Sequence, residues 1–186
     1  TVLINSTVQA IIDHYSAVEE FCKGKGGAIF ARDNLISVIN STFINCTGKE
    51  GGAVFWDGGE NYIRNNPSNV ATPRYLGNYG VISNSTFIGN NASIGGAVCW
   101  TGPNGLINGS TFIGNNATSG GAVYWKGGVE YMAYEWNYVN GNTRDKVFAI
   151  HGDDGKVINS EFTENTATSG GAVYWAGERG NVSNSV

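Results

Sequence analysis

Residues 120–125 read Gly-Gly-Ala-Val-Tyr-Trp, and close variants of this hexapeptide return along the chain. Each copy has a glycine pair, an alanine and an aliphatic residue, and four of the five copies end in Trp. The copies begin at Gly26, Gly51, Gly95, Gly120 and Gly170, so they are separated by 25, 44, 25 and 50 residues. The repeat unit is therefore 25 residues, and the two longer intervals hold one unit plus an insert. A fixed period in this range is typical of a stacked-repeat protein.

Other positions keep the same register relative to the glycine pair. A Phe stands eight residues before it in four copies, at Phe43, Phe87, Phe112 and Phe162. An aliphatic residue lies five residues before that Phe, at Val38, Ile82, Ile107 and Val157. The residue three positions after the Phe is Asn90, Asn115 or Asn165, with Cys46 in the remaining copy. Short runs rich in β-branched and aromatic residues, bounded by Gly, Asn and Ser, predict three strands per unit.

This pattern predicts an all-β fold, a right-handed parallel β-helix with 25-residue coils of three short strands. The chain then contains about five coils plus part of a sixth, and residues 1–186 form a single domain. In such a stack equivalent residues form columns along the axis, which explains why each column keeps one chemistry. A leucine-rich repeat is the rival solenoid, but its regular Leu pattern is absent. Because both ends fall within a repeat, we expect the chain to be a fragment of a longer protein.

Three inserts interrupt the repeat. Residues 9–21 have apolar spacing compatible with a short helix, residues 57–79 indicate a loop, and residues 126–154 predict a β-hairpin turning at Asn140-Gly141. The last two leave from the same corner of the coil, so they project on one side and bracket the third coil. Inserts on one side of a solenoid commonly form its binding side.

Composition excludes several classes of protein. A net charge of −4, with only 14% charged residues, argues against a nucleic-acid partner, which calls for a basic surface. No apolar run approaches the length that spans a bilayer, so we expect no membrane insertion by this segment.

The repeated phrases resemble those of two groups of surface proteins. Paired Gly-Gly-Ala-Ile/Val and Phe-x-x-Asn motifs are similar to the repeats of chlamydial polymorphic outer-membrane proteins. The longer phrase at Gly109 to Tyr124 and at Asn84 to Cys99 resembles adhesin-like surface proteins of methanogenic archaea. The resemblance covers every coil but neither large insert, and it implies a β-helix at the cell surface, in the cell wall or outside the cell. It transfers no catalytic residues.

Three functions follow as hypotheses. The first is a non-enzymatic adhesin domain, a rigid stalk whose aromatic inserts attach to a surface protein or glycan of another cell or host. The second is a carbohydrate-active enzyme of the β-helix type, a polysaccharide lyase or hydrolase. The third is a structural component of a wall or filament, in which further copies of the chain or flanking repeats pack together.

Aromatic residues are the candidate binding groups. One set is the Trp column of the repeat, and the other lies in the two large inserts. The candidates are Trp56, Trp100 and Trp125 in the column, and Tyr62, Tyr75, Tyr131, Tyr134, Trp136 and Tyr138 in the inserts. Strand alternation leaves two arrangements open for the column: either Val123 and Trp125 face the core, or Ala122 and Tyr124 do.

Catalytic and metal chemistry finds little support. The repeat carries no acidic column, and the best local clusters are Asp153-Asp154 near His151 and Arg144, and Asp57 with Glu60. We therefore expect no catalytic residues, no metal site and no cofactor. A calcium site needs about 6–8 oxygen ligands. Residues 152–155, Gly-Asp-Asp-Gly, supply few of them, so a calcium site there has little support.

The three cysteines predict one disulfide. Cys22 and Cys46 fall on adjacent coils, one position out of register, where Cα atoms lie about 5–6 Å apart. The alternative is a pair of reduced thiols. Cys99 belongs to another column and is expected to be a buried thiol.

Overall fold

The computed structural model describes residues 2–4, 7–9, 24–32, 34–63, 72–136 and 144–186. Within those residues the regular secondary structure is entirely β. Sixteen of the strands form three parallel sheets along the stack of coils, and the other four form an antiparallel sheet from the two larger inserts. Each coil adds one strand to each parallel sheet, which confirms the predicted parallel β-helix with three strands per coil.

The strands of the three parallel sheets are each three residues long. The first sheet contains β1 (Val2–Ile4), β4 (Ser37–Ile39), β9 (Val81–Ser83), β12 (Leu106–Asn108), β17 (Lys156–Ile158) and β20 (Asn181–Ser183). The second contains β2 (Thr7–Gln9), β5 (Thr42–Ile44), β10 (Thr86–Ile88), β13 (Thr111–Ile113) and β18 (Glu161–Thr163). The third contains β3 (Ile29–Ala31), β6 (Val54–Trp56), β11 (Val98–Trp100), β14 (Val123–Trp125) and β19 (Val173–Trp175).

Equivalent residues of successive coils lie directly opposite one another. Phe87 pairs with Phe43 on one side and with Phe112 on the other. The irregular first coil keeps this register, because Val8 pairs with Phe43. Strands in a sheet are about 4.8 Å apart, so each column of the sequence becomes a stack of side chains along the axis.

Two aromatic stacks fill the core. The Phe rings follow one another at centroid distances of 4.8, 4.8 and 4.9 Å. The Trp rings do so at 4.2, 4.9 and 4.4 Å. The fully buried members of the two stacks are Phe43, Phe87, Phe112, Trp56, Trp100 and Trp125. Aromatic rings bury large areas and dominate core energetics, so these stacks hold the coils together.

A ladder of Asn side chains runs inside the stack beside the Phe rings. The Nδ2 of Asn115 donates to Oδ1 of Asn165 at 2.8 Å, and the Nδ2 of Asn90 donates to Oδ1 of Asn115 at 2.9 Å. Each amide also donates to a main-chain carbonyl, as Asn115 does to Phe87 at 3.1 Å. These bonds satisfy amides that burial would otherwise destabilise. At Cys46, where the ladder ends, the backbone N–H still donates to Oδ1 of Asn90 at 2.9 Å.

The corner between the first and second sheets requires a left-handed backbone. Asn40, Asn84 and Asn159 occupy it with φ of 49°, 48° and 51°, and Gly109 replaces Asn with φ of 58°. Asn and Gly are the residues that tolerate this region best. The corner explains why Asn or Gly recurs immediately before each Ser of the repeat.

The inserts differ in part from the prediction. In place of the loop expected over 57–79, the structure has β7 (Gly59–Ile63) paired antiparallel with β8 (Thr72–Leu76). β7 also pairs with β16 of the second insert, a contact between residues distant in sequence that local patterns do not predict. Over 126–154 the structure has β15 (Gly128–Trp136) antiparallel to β16 (Arg144–His151). The proposed helix at 9–21 lies outside the described residues, apart from Gln9, as does the Asn140-Gly141 turn.

Two of the three cysteines are described. Cys46 and Cys99 are buried, which agrees with the buried thiol expected at position 99. Cys22 lies outside the described residues, so the Cys22–Cys46 disulfide stays a prediction.

Candidate binding surface

The two large inserts combine into one sheet. Its strand order is β15-β16-β7-β8. The junction between the inserts is the antiparallel pairing of Ile150 with Glu60 and of Ala149 with Asn61. The inserts thus not only project from the same side of the β-helix, as their common corner predicts, but form a single four-stranded surface.

The register of this sheet sorts its residues onto two faces. Residues paired across antiparallel strands share a face, and faces alternate along each strand. Val129 pairs with Ile150, Ile150 with Glu60, and Glu60 with Tyr75, so this row lies on one face. The next row of the same face, two residues along each strand, contains Tyr131, Phe148, Tyr62 and Pro73.

A β-bulge keeps the aromatic residues of β15 on that face. The pairing shifts between Tyr131 and Ala133, so Met132 is the extra residue. Beyond the bulge Tyr134 pairs with Lys146 and Trp136 with Arg144. An uninterrupted alternation would have moved Tyr134 and Trp136 to the opposite face, because a one-residue shift exchanges the faces. We call this surface the aromatic face; it carries Tyr62, Tyr75, Tyr131, Tyr134 and Trp136.

The other face mixes apolar and polar residues and carries three of the four carboxylates in the strands of the sheet. It contains Glu130 and Asn61, which pair with Ala149. Beyond the bulge it contains Glu135, which pairs directly with Asp145. We call it the acidic face, defined by Glu130, Glu135 and Asp145. Two like charges directly opposite each other destabilise a strand pair.

The structure thus brings five of the predicted binding residues onto one face of one sheet. Tyr138 lies outside the described residues. The prediction was wrong for Trp56, Trp100 and Trp125, whose side chains have 0% exposure and stack inside the β-helix. They cannot contact a ligand, because the large indole rings occupy the inward positions of the third sheet and form its core.

Because the Trp side chains of the third sheet point into the core, the residues next to them lie on the outer face of the β-helix. Val123 and Trp125 belong to the core, so Tyr124 is outward, where it stacks on Tyr174 with centroids 5.0 Å apart. Tyr174 is 36% exposed. Burial raises the pKa of Tyr124. The stack covers the two ring faces that meet.

In the second and third coils the residues of the same outer column are buried. Phe55 and Cys99 lie in it, yet each is only 2% exposed. Phe55 stacks on Phe30 at 5.6 Å, and Nζ of Lys25 lies 4.6 Å from its ring centroid. Burial raises the pKa of the Cys99 thiol, and the nearby carboxylate of Glu50 adds to the shift. The aromatic residue that precedes three of the four Trp residues of the repeat, at Phe55, Tyr124 and Tyr174, was the signal for this outer column, but alternation alone could not assign it.

The carboxylates considered for catalysis form ion pairs on the scaffold. Oδ2 of Asp57 lies 3.3 Å from Nε of Arg32. Asp154 receives two bonds from Arg179, at 2.7 and 2.9 Å, which hold the pKa of its carboxyl below the usual value. A lowered pKa does not suit the general acid of a glycosidase, whose pKa is raised, although the second carboxylate of such a site is ionised.

Arg144 and His151, which form one local cluster with Asp153-Asp154 in the sequence, are far apart in the structure. His151 and Arg144 lie at opposite ends of β16, which places their backbones about 23 Å apart at 3.3 Å per residue. Among the described residues, no group of three or more His, Cys, Asp or Glu could hold a metal ion.

Comparison with known proteins gives one match. A model of the Chlamydia polymorphic membrane protein repeat matches residues 159–174. These residues run from the first corner of the fifth coil, through β18, to the Gly-Gly-Ala-Val-Tyr phrase at β19. No curated protein and no solved structure matches the chain. Residues 159–174 are therefore similar to a polymorphic membrane protein repeat, which supports the resemblance of the repeated motifs to that family.

In the portion of the chain with a described structure, no helix is long and apolar enough to cross a membrane.

Proposed function

We propose that this chain is a non-enzymatic repeat domain of a cell-surface adhesin. The β-helix acts as a rigid scaffold, and the aromatic face of the insert sheet attaches to a surface protein or glycan of another cell. The observation that carries the proposal is the register that gathers Tyr62, Tyr75, Tyr131, Tyr134 and Trp136 on one face. The match to a repeat of Chlamydia polymorphic membrane proteins supports a location at the cell surface.

The physical basis is the different character of scaffold and inserts. In the scaffold the Phe, Trp and Asn columns pack one coil against the next. The aromatic rings of these columns are therefore buried in the core and not available to a ligand. The insert sheet belongs to none of the three parallel sheets, and its aromatic residues fall outside the repeat pattern. Tyr and Trp supply large contact areas at low entropic cost, and they are enriched at binding surfaces.

The first experiment removes the candidate surface. Residues 128–151 are replaced by a short glycine-rich turn that keeps Gly127 and Gly152. Gly152 is kept in the variant because its carbonyl accepts a hydrogen bond from the Trp125 indole at 2.9 Å, which holds this corner of the coil. Binding of the fluorescently labelled chain to whole cells and to a glycan array is then measured. We expect an unchanged thermal transition of the β-helix and loss of attachment; retained attachment would place the contact elsewhere.

A matched pair of variants tests the face itself. Tyr131→Ser with Tyr134→Ser changes the aromatic face, and Ala133→Ser with Ala149→Ser changes the acidic face of the same sheet. We expect attachment to fall only for the first pair. The same array, scored for cleavage, tests the alternative of a carbohydrate-active enzyme; turnover that is lost in Asp57→Asn or Asp154→Asn would overturn the non-enzymatic assignment.

A further inference from the structure

We infer that the outer edge of β15 docks an extended segment of a partner protein, which adds to the insert sheet as a fifth strand. The segment alternates apolar or aromatic residues with basic residues. This inference rests on the proposed function, since it names the class of partner that the same sheet receives.

The two outer edges of the sheet differ in their ability to accept a strand. β15 pairs only with β16 among the described strands, and with nine residues it is the longest strand there. The opposite edge, β8, has five residues and includes Pro73, which has no N–H to donate. Proline, short length and bulges all blunt an edge strand. β15 has a bulge at Met132, but it contains no proline and offers nine residues of edge against five in β8. Strand addition to such an edge is a recurring mode of peptide recognition.

The two faces specify the partner's residues. An added strand continues the alternation of the sheet, so its residues lie in turn on the aromatic face and on the acidic face. On β15 the aromatic face offers Tyr131, Tyr134 and Trp136, and the acidic face offers Glu130 and Glu135. Cross-strand pairs are favourable between aromatic and β-branched residues and between opposite charges. The complementary segment therefore carries apolar residues at every second position and Lys or Arg between them.

The preference for Lys or Arg in the added strand is strongest opposite Glu135. Its partner on β16 is Asp145, so the inner side of this position is already negative. The outer side of Glu135 is the open edge. A cationic residue placed there by an added strand would lie one strand from Glu135 and two strands, about 9.6 Å, from Asp145, so its charge would offset the negative charge of this row.

The same charges argue against a second copy of the chain as the occupant. Antiparallel pairing of two β15 strands about the midpoint between Met132 and Ala133 sets Glu130 of each strand opposite Glu135 of the other. Like charges directly opposite each other are destabilising. A basic partner segment fits the edge better than β15 itself.

The test uses the full 186-residue chain and a labelled nine-residue peptide that alternates Lys with Thr and Tyr. Binding is measured by fluorescence anisotropy at low salt. Controls are a peptide of the same composition with its Lys residues in one block, a peptide with Glu for Lys, and one with the backbone N-methylated at every second residue. We expect the alternating peptide to bind and each control to bind at least about tenfold more weakly, the scale of a few lost cross-strand pairs.

A charge exchange on the protein completes the test. The variant Glu130→Lys with Glu135→Lys is expected to lose about tenfold in affinity for the Lys peptide and to gain affinity for the Glu peptide. If the N-methylated peptide binds as well as its parent, the contact is not strand addition and the inference is wrong. Concentration-dependent dimerisation of the chain without peptide would instead identify a second copy as the occupant.

The two proposals fail in distinguishable ways. If attachment to cells requires residues 128–151 but the alternating peptide does not bind, the strand-addition inference alone fails. If the peptide binds at the edge but removal of 128–151 leaves attachment unchanged, the adhesin surface alone is misassigned.

Discussion

The indole ring of Trp100 occupies the space that a side chain at position 105 would need. A Cβ placed on Gly105 would lie 2.4 Å from Cε2 of Trp100. The same relationship recurs between Trp56 and Gly80, where the distance is 2.4 Å to Cε2. In the first coil Ala31 replaces Trp in this column, and the residue in the glycine position is Ile36. Trp and Gly are thus one structural unit, exchanged in that coil for Ala and Ile.

Gly105→Ala is therefore expected to destabilise the fold by about 1–3 kcal/mol, as overpacking does. Trp100→Ala should cost about 3–5 kcal/mol because it leaves a cavity. The double variant Trp100→Ala with Gly105→Ile reproduces the Ala31 and Ile36 arrangement, so it should lose less than the sum of the single changes. Denaturant unfolding measures all three. Strict additivity would contradict the pairing.

The Trp stack also differs in hydrogen bonding along its length. Nε1 of Trp125 donates to the carbonyl of Gly152 at 2.9 Å, whereas among the described residues Nε1 of Trp100 is buried without a partner. Trp125→Phe should therefore cost about 1 kcal/mol more than Trp100→Phe, because the loss of ring volume is common to both. Equal free energies of unfolding for the two variants would show that the indole bond contributes nothing.

The buried and exposed polar ladders should respond differently. Asn115→Ala removes the acceptor of the Asn90 amide and the donor to Phe87, leaving buried groups unpaired. We expect a loss of about 2–4 kcal/mol in the free energy of unfolding. Asn116 is the matched control, since its amide bonds to Asn91 at the exposed surface and Asn116→Ala should cost under about 0.5 kcal/mol. Comparable losses would place the Asn115 amide outside the core.

Cys99 is expected to be chemically inert in the folded protein. Burial raises the pKa of its thiol, so little thiolate forms at neutral pH, and the side chain is only 2% exposed. Alkylation followed by mass spectrometry should modify Cys99 only in denaturant. Rapid labelling of the native chain would mean that the outer column of the third sheet opens at that point.

The Asp154–Arg179 pair predicts a specific acid response. The hydrogen bonds from Arg179 lower the folded-state pKa of Asp154. The pair's contribution to the free energy of unfolding is therefore present above the unfolded-state pKa and is lost as the pH falls through the folded-state pKa. An NMR titration of the carboxyl groups should therefore find the pKa of Asp154 below the ordinary value of an Asp. Arg179→Gln should raise that pKa, while Glu178→Gln should change it little. Both groups are exposed, so the effect on stability is small.

Most of the scaffold follows from the sequence alone. The 25-residue period, the Phe column and the aliphatic column are repeated local facts, and a stack of identical coils is the arrangement that satisfies them together. The register Val8 to Phe43 to Phe87 follows from aligning the repeats, because hydrogen bonding between coils fixes columns residue by residue. The exchange of Trp and Gly for Ala and Ile is also present in the sequence as a covariation between coils. Its meaning becomes clear only from the contact between Trp100 and Gly105.

The tertiary structure decided what repetition cannot encode. Strand alternation left the inward face of the Gly-Gly-Ala strand open, and packing chose Trp125 over Tyr124 because the indole fills the coil interior. The union of the two inserts depends on Ile150 meeting Glu60, residues far apart in the chain with no shared motif. A single bulge at Met132 then sets which residues share a face. Pairing between distant strands depends on how the corners project each insert, and no local pattern carries that information.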